Sequence, residues 1–113
     1  MKISGVKFLL ISAVLLSCAG AARAEEVAQA RLTLFNHAFT PQTLTIPAGR
    51  KIKLTVVNKD DAAAEFESSD LDREKVVTAN GQIYVYIGPL DAGTYGFYDD
   101  FHRDTTTGKI IAK

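Results

Sequence analysis

The chain has 113 residues, and its 13 lysines and arginines balance its 13 aspartates and glutamates. Three of the cationic residues (Lys2, Lys7 and Arg23) lie within the first 24 residues, so the rest of the chain carries 10 cationic against 13 anionic side chains, a net charge of −3. This acidic remainder has no basic tract, no Ser–His–Asp or Cys–His signature and no phosphate-binding glycine loop. These absences argue against nucleic-acid binding and against conventional hydrolysis.

Residues 1–24 have the layout of a secretory signal peptide. A positively charged start is followed by an apolar core over residues 8–16, and the segment ends in the small-residue pattern Ala22-Arg23-Ala24. The apolar run is shorter than the roughly 20 residues that a membrane-spanning helix needs. We therefore expect cleavage before Glu25, export to the periplasm, and a single domain over residues 25–113.

Sulfur is confined to the predicted signal segment, because Cys18 is the only cysteine and Met1 the only methionine. The run LLSC that ends at Cys18 also fits a loose bacterial lipoprotein site, and lipidation there is the alternative to simple cleavage. The domain itself has no disulfide to stabilise it and depends on its core. It also lacks the thiolate that a blue-copper centre requires.

Short apolar runs separated by turn signals recur along the domain about every eight to twelve residues. The clearest is KIKLTVVN, in which Ile52, Leu54 and Val56 alternate with polar side chains. LDREKVV (71–77) fits either a helical turn or an extended link. This spacing predicts an all-β sandwich or barrel of about seven or eight strands. The predicted strands lie within residues 30–37, 40–49, 51–58, 65–70, 82–88, 94–98 and 108–113.

The segment YDDFHRDTTTGK (98–109) places Asp99, Asp100, His102 and Asp104 within six residues. Carboxylates this close repel one another, and the end of a strand does not require them. A bound cation would relieve the repulsion. The segment is therefore the strongest candidate for a metal site.

Two stretches of the domain resemble cupredoxins. FTPQTLTIPAGRKIKLTVVN has the layout of the opening of a cupredoxin domain, and GPLDAGTYGFYDDFHRDTTTGKIIAK is similar to its ending. Together the matching runs extend from about Leu32 to Lys113. The resemblance implies a Greek-key β-sandwich with a metal site at one end.

The ligand positions depart from the cupredoxin pattern. The first histidine ligand is replaced by the run AEFE with Glu65 and Glu67, and the cysteine of the C-terminal loop is replaced by Asp99-Asp100. The loop imidazole is kept as His102, and no methionine follows it. The resemblance therefore implies a site in which oxygen has replaced sulfur, suited to iron, manganese, zinc or oxidised copper.

Each predicted ligand has a simpler alternative. Glu65 and Glu67 share one face of a strand, which is either a metal face or a solvated acidic edge. Asp99 and Asp100, as neighbours in an extended segment, point to opposite faces, so we expect only one of them, Asp99, to contact the metal. Both are otherwise turn residues. The candidate metal ligands are thus His102, Asp99, Glu65, Glu67, Asp100 and His37, with Asp99 favoured over Asp100.

Three further residues are expected to surround these ligands. Asp104 would accept an imidazole N–H, or is simply solvated. Phe39 and Phe101 would shield the site from water if His37 is a ligand, and Phe101 is otherwise an ordinary core residue. His37 itself is either a ligand or a surface histidine in a bend.

The runs EFES, EKVV, IGPL and FYDDFH are similar to those of periplasmic cupredoxin-like proteins that accompany bacterial iron permeases. This resemblance implies a protein that binds an iron or copper ion and aids ferrous oxidation or delivers iron to a membrane permease and its periplasmic partners. A copper or zinc carrier and a non-metal interaction module are the alternatives. Whether the protein is an enzyme stays open, because one small site offers no evident route for multi-electron oxygen reduction.

Overall fold

The computed structural model describes residues 26–113, and the predicted signal segment with Cys18 lies outside this range. Within it the chain forms nine strands and one 3₁₀ turn at Asp100–His102. No helix in the described range is long and apolar enough to cross a membrane. The strands are β1 (Ala28–Phe35), β2 (Ala38–Thr40), β3 (Thr43–Ile46), β4 (Ile52–Asn58), β5 (Ala64–Ser68), β6 (Arg73–Val77), β7 (Gln82–Ile87), β8 (Gly93–Asp99) and β9 (Gly108–Ala112).

The strands form two sheets that pack as a sandwich. One sheet has the order β2-β1-β4-β7 and the other the order β3-β9-β8-β5-β6. β1 runs parallel to β4 and β3 parallel to β9, while the remaining pairs are antiparallel. The predicted all-β sandwich is confirmed, with nine strands instead of seven or eight. Two of the nine strands were not among the seven predicted runs. They are β2, a three-residue strand inside a stretch that reads as a bend, and β6, which lies in the undecided segment 71–77.

The core lies between the two sheets and follows the alternation of the sequence. In β4, Ile52, Leu54 and Val56 are fully buried and the residues between them are half-buried, as the pattern of this strand predicts. At one end of the sandwich three aromatic rings pack together, with Phe97 against Phe39 and Phe66. The other buried apolar residues are Leu32, Leu34, Ile46, Ala64, Leu71, Val77, Val85, Ile87, Ile110 and Ala112.

The edge strands β6 and β7 are joined by side chains. Arg73 Nε donates a hydrogen bond to the carbonyl of Tyr86 (3.1 Å), and Lys75 Nζ donates one to the carbonyl of Tyr84 (3.2 Å). Within the undecided segment 71–77, Leu71 and Asp72 lie in a turn and Arg73–Val77 is extended. The backbone of this strand pairs with β5, and its cationic side chains reach β7. These contacts also cover backbone groups that an edge strand would otherwise expose.

The loops at one end of the sandwich bring the candidate ligands together. β1 and β2 are joined by the two-residue turn Asn36-His37, and both residues have positive φ (53° and 57°). This is the geometry of a type I′ hairpin turn, which asparagine tolerates well. The 3₁₀ turn after β8 extends from the same end, and β5 lies beside it.

Candidate metal centre

Asp99 is the buried centre of this end of the protein, with a side chain that is 0% exposed. Its Oδ1 accepts hydrogen bonds from the backbone N–H groups of Glu65 (2.8 Å) and Phe101 (3.0 Å). Its Oδ2 lies 2.8 Å from Nδ1 of His102. Asp99 thus caps the 3₁₀ turn and ties it to β5, and both carboxylate oxygens are occupied by protein donors.

Thr106 fixes the other end of the same loop. This threonine is fully buried, and its Oγ1 accepts a hydrogen bond from the Asp99 backbone N–H (2.9 Å) and donates one to the His102 carbonyl (2.7 Å). Thr106 was not predicted as a site residue. The run of three threonines at 105–107 offered no sign of which hydroxyl would turn inward.

His37 and His102 lie side by side. Their ring centroids are 4.3 Å apart and the ring planes are tilted by 37°. Nδ1 of His37 lies 3.8 Å from Oδ2 of Asp60, just as Nδ1 of His102 lies against Asp99. Each imidazole therefore has an aspartate on its Nδ1 side.

Asp60 was not predicted as a site residue, and it organises the hairpin turn that carries His37. Its carboxylate accepts hydrogen bonds from the backbone N–H groups of Asn36 (2.5 Å) and His37 (3.0 Å). Asp60 is itself held by the buried Asn58, whose Oδ1 accepts from the Asp60 backbone N–H (3.0 Å) and whose Nδ2 donates to the Ala62 carbonyl (2.8 Å). A chain of hydrogen bonds thus runs from the core end of β4 to the His37 turn.

Three carboxylates form a separate cluster on the outer side of β5. Glu65, Glu67 and Asp100 each place one carboxylate oxygen within 4.8 Å of the others, and all three side chains are half-buried. Asp99 and Asp100 point in opposite directions: Asp99 faces inward, and Asp100 joins the two glutamates. The six predicted ligands therefore divide into this cluster and a group of Asp99 with the two histidines.

Charge is partly compensated around the carboxylate cluster. Arg103 Nε donates a hydrogen bond to Asp100 Oδ1 (2.6 Å), and its guanidinium lies over the ring of Tyr98 at 4.6 Å. The Tyr98 hydroxyl donates to Glu67 Oε2 (3.2 Å). Desolvation, followed by the charges of Glu74, Asp100 and Glu67, raises the pKa of Glu65 above its ordinary range.

The raised pKa of Glu65 predicts a pH-dependent stability of the metal-free protein. A carboxyl with a higher pKa in the folded state favours folding fully below its ordinary value of 4.5, and this contribution is lost as the pH rises through the folded-state pKa. Glu65→Gln should therefore flatten the decline in the free energy of unfolding from pH 4.5 to neutrality, measured by urea unfolding at several pH values. Asp91→Asn, at an exposed site, should keep the native slope.

The residues expected around the ligands lie in three different environments. Phe39 is in the core, with its ring edge-on to Phe97 at 5.1 Å. Phe101 is 51% exposed at the middle of the 3₁₀ turn. Asp104 is exposed in the turn that follows.

The sequence matches the family described as the cupredoxin-like domain over residues 8–112. The chain belongs to the cupredoxin-like family. A relative, "Uncharacterized protein RP394" of Rickettsia prowazekii (strain Madrid E), is 39% identical over 87 residues, which are 77% of this chain and 70% of that protein.

Solved structures share the fold of this cupredoxin-like domain. It is similar to auracyanin A, a "blue" copper protein from Chloroflexus aurantiacus, with a TM-score of 0.66 and 14% identity over 78% of this chain and 100% of that one. It is also similar to a purple cupredoxin from Nitrosopumilus maritimus, with a TM-score of 0.60 and 18% identity over 74% and 99% of the two chains. At these identities the likeness concerns the fold.

A blue-copper centre does not fit the residues of this cupredoxin-like domain. Residues 26–113 contain neither cysteine nor methionine. Asp99 stands where the cupredoxin resemblance expects the thiolate, and its carboxylate is bonded to two backbone amides and to His102 Nδ1. A metal bound here would need a different set of ligands from that of the thiolate centre.

Proposed function

We propose that this cupredoxin-like protein is a periplasmic accessory of iron uptake that binds iron as its cargo at Glu65, Glu67 and Asp100. The observation that carries the proposal is the convergence of one oxygen from each carboxylate within 4.8 Å. Carboxylate oxygens are hard ligands that suit iron better than they suit cuprous copper. The similarity of EFES and FYDDFH to the permease-associated group supports the iron assignment, and the signal-like residues 1–24 support the periplasm.

The electrostatics of the cluster favour reversible binding of a cation. Desolvation, and after it repulsion from the carboxylates of Glu74, Asp100 and Glu67, raises the pKa of Glu65. A bound cation would relieve the repulsion. Arg103 keeps Asp100 in place before the metal arrives, because its guanidinium is hydrogen-bonded to that carboxylate. Arg103 is 61% exposed and can swing into solvent when the cation takes over its role.

Partial burial of the cluster is consistent with delivery of the ion to a partner. Glu65, Glu67 and Asp100 are half-buried on the outside of the sandwich and are not enclosed in its core. A cation bound there stays within reach of ligands on another protein. The partner that this proposal implies is a membrane iron permease, together with other periplasmic uptake components.

Anaerobic titration of the purified protein with ferrous iron tests the proposal. We expect saturable binding that is lost in Glu65→Gln/Glu67→Gln and kept in Asp61→Asn/Asp91→Asn, which removes the same charge from exposed sites. With free iron at about 100 times its Kd, the native protein should gain about 2.7 kcal/mol. The melting temperature should then rise by on the order of 10–20 °C.

Equal iron binding by the native protein and the glutamine double variant would overturn the cluster as the iron site. Absence of iron-dependent stabilisation in the native protein would overturn the iron function altogether. Admitting air to the iron-loaded protein then shows whether ferrous iron is oxidised faster than in buffer. A rate equal to that of buffer would assign carriage without ferroxidase activity.

A further inference from the structure

We propose that the outer face of the sheet β2-β1-β4-β7 is a docking surface for an extended acidic segment of a partner protein. This cationic face is made of five cations and two tyrosines: Arg31, Lys51, Lys53, Arg73, Lys75, Tyr84 and Tyr86. The glutamates of the carboxylate cluster belong to the other sheet. The proposal therefore does not depend on iron binding at the cluster.

Charge is segregated between the two sheets. Strands β1, β2, β4 and β7 contain no aspartate or glutamate. Strands β5, β6 and β8 carry four such residues, which are Glu65, Glu67, Glu74 and Asp99. Five of the ten lysines and arginines within residues 26–113 belong to the cationic face, although the domain as a whole is acidic. This local excess of positive charge fits an anionic partner.

The strand register gathers these side chains on one side of the sheet. Lys53 of β4 lies opposite Tyr86 of β7, and the next residue along β4, Leu54, is buried in the core. Because side chains alternate along a strand, Lys53, Tyr84 and Tyr86 face outward, and the two tyrosines are 43% and 49% exposed. Arg31 of β1 is exposed on the same side, because its partner in β4 is two positions after Lys53.

The cations of this face are held by tyrosines and backbone carbonyls. Lys53 Nζ lies 4.1 Å from the centroid of the Tyr84 ring. Arg73 and Lys75 donate hydrogen bonds to carbonyls of β7. The ion pairs found among residues 26–113 involve other cations. Since a ring or a carbonyl leaves the positive charge uncompensated, these side chains stay available to carboxylates and lose little freedom when a partner binds.

The spacing of the cations fits an extended chain. Lys51 and Lys53, at the start of β4, are two residues apart, and so are Arg73 and Lys75 of β6. Side chains two positions apart on a strand repeat about every 7 Å. Carboxylates at every second position of an extended peptide have the same repeat. β7, with its two exposed tyrosines, lies between the two pairs of cations.

Polar side chains beside the cations favour a polypeptide over lipid headgroups. Gln29, Thr55 and Gln82 lie on the same side of the sheet. Their amides and hydroxyls can donate hydrogen bonds to a peptide backbone or accept them from it. Gln29, Arg31 and Thr55 also line a shallow groove of about 340 Å³. An anionic membrane would require only positive charge and apolar side chains that insert into the lipid.

NMR titration of the ¹⁵N-labelled protein with a synthetic peptide of alternating glutamate and threonine, at low ionic strength, tests this docking surface. We expect chemical-shift changes in β1, β4, β6 and β7, and weaker binding as salt is added. Lys51→Gln/Lys53→Gln should weaken peptide binding about three- to tenfold. Lys109→Gln/Lys113→Gln removes the same charge from exposed positions in and after β9 and should keep the native affinity.

The chemistry of the partner is identified by two comparisons. A peptide of alternating glutamine and threonine should not bind, because it lacks the carboxylates. Equal affinity for this neutral peptide would overturn the proposal. Binding to phosphatidylglycerol vesicles without binding to the acidic peptide would assign the cationic face to lipid and overturn it as well.

The location of the surface is decided by the variant and by the shift map. Unchanged peptide affinity in Lys51→Gln/Lys53→Gln, with its fold verified by circular dichroism, would overturn the proposal. Shift changes centred outside the cationic face of the native protein would do the same. The variant alters no residue of the carboxylate cluster, so its iron titration should match that of the native protein. The iron proposal therefore stands or fails by itself.

Discussion

Replacing Asp99 by alanine is expected to lower the free energy of unfolding by about 3–5 kcal/mol. The change leaves the backbone N–H groups of Glu65 and Phe101 without their acceptor, and it leaves Nδ1 of His102 without its carboxylate. Water does not readily replace these lost hydrogen bonds, because the Asp99 side chain is 0% exposed. Urea unfolding should show a lower midpoint with an unchanged m-value.

Asp104→Asn is the matched control for this prediction, because it removes the charge of an exposed aspartate five residues further along the same loop. We expect its effect to stay within about 0.5 kcal/mol of the native protein. Asp99→Asn should fall between the two, since its amide oxygen can still accept a backbone N–H. If Asp99→Ala and Asp104→Asn unfold at the same urea concentration, Asp99 does not hold the loop.

The fold followed from the sequence where local pattern and burial agree. In β4 the alternation of Ile52, Leu54 and Val56 indicates both the strand and its buried face, and the structure confirms both. The segment 71–77 was undecided because Arg73 and Lys75 interrupt any apolar pattern. The extended conformation of its part Arg73–Val77 depends on β5 and on the carbonyls of β7, which the local sequence does not reveal.

The arrangement of the site was harder to predict, because it depends on contacts between distant residues. The sequence indicates that Asp99 and Asp100 face opposite sides, but the inward side is decided by the Glu65 N–H, 34 positions away. The partnership of Asp60 with His37 likewise spans 23 positions and requires the β1–β2 hairpin. The run KDDAAA (59–64), which contains Asp60, indicates only a polar turn when the sequence is taken alone.

The cupredoxin-like fold of this protein does not determine its metal chemistry. The structural similarity to auracyanin A and the purple cupredoxin, with TM-scores of 0.66 and 0.60 at 14% and 18% identity, shows the fold. The metal preference follows from the side chains at the end of the sandwich. Asp99 occupies the position at which the resemblance expects a thiolate. Its carboxylate accepts hydrogen bonds from two backbone amides and contacts His102 Nδ1. The remaining ligands then lie on either side of it, as a carboxylate cluster and an imidazole pair.

Replacing Phe97 by alanine is expected to lower the free energy of unfolding by about 3–5 kcal/mol. The Phe97 ring is 1% exposed and packs against Phe39 at 5.1 Å and Phe66 at 5.6 Å. The ring also lies against Gly108, where an added Cβ would clash with it. Because glycine has no side chain, this neighbour cannot fill the cavity that Phe97→Ala leaves. Thermal and urea unfolding should both report the loss.

Phe101→Ala makes the same chemical change four residues later, at a side chain that is 51% exposed, and should alter stability by no more than about 0.5 kcal/mol. The contrast separates burial from residue type, because both phenylalanines flank Asp99 at the same distance in sequence. If Phe97→Ala costs no more than Phe101→Ala, the aromatic cluster does not stabilise this end of the sandwich. Its stability would then rest on the hydrogen bonds of Asp99, and the Asp99→Ala variant would show a correspondingly larger share of the loss.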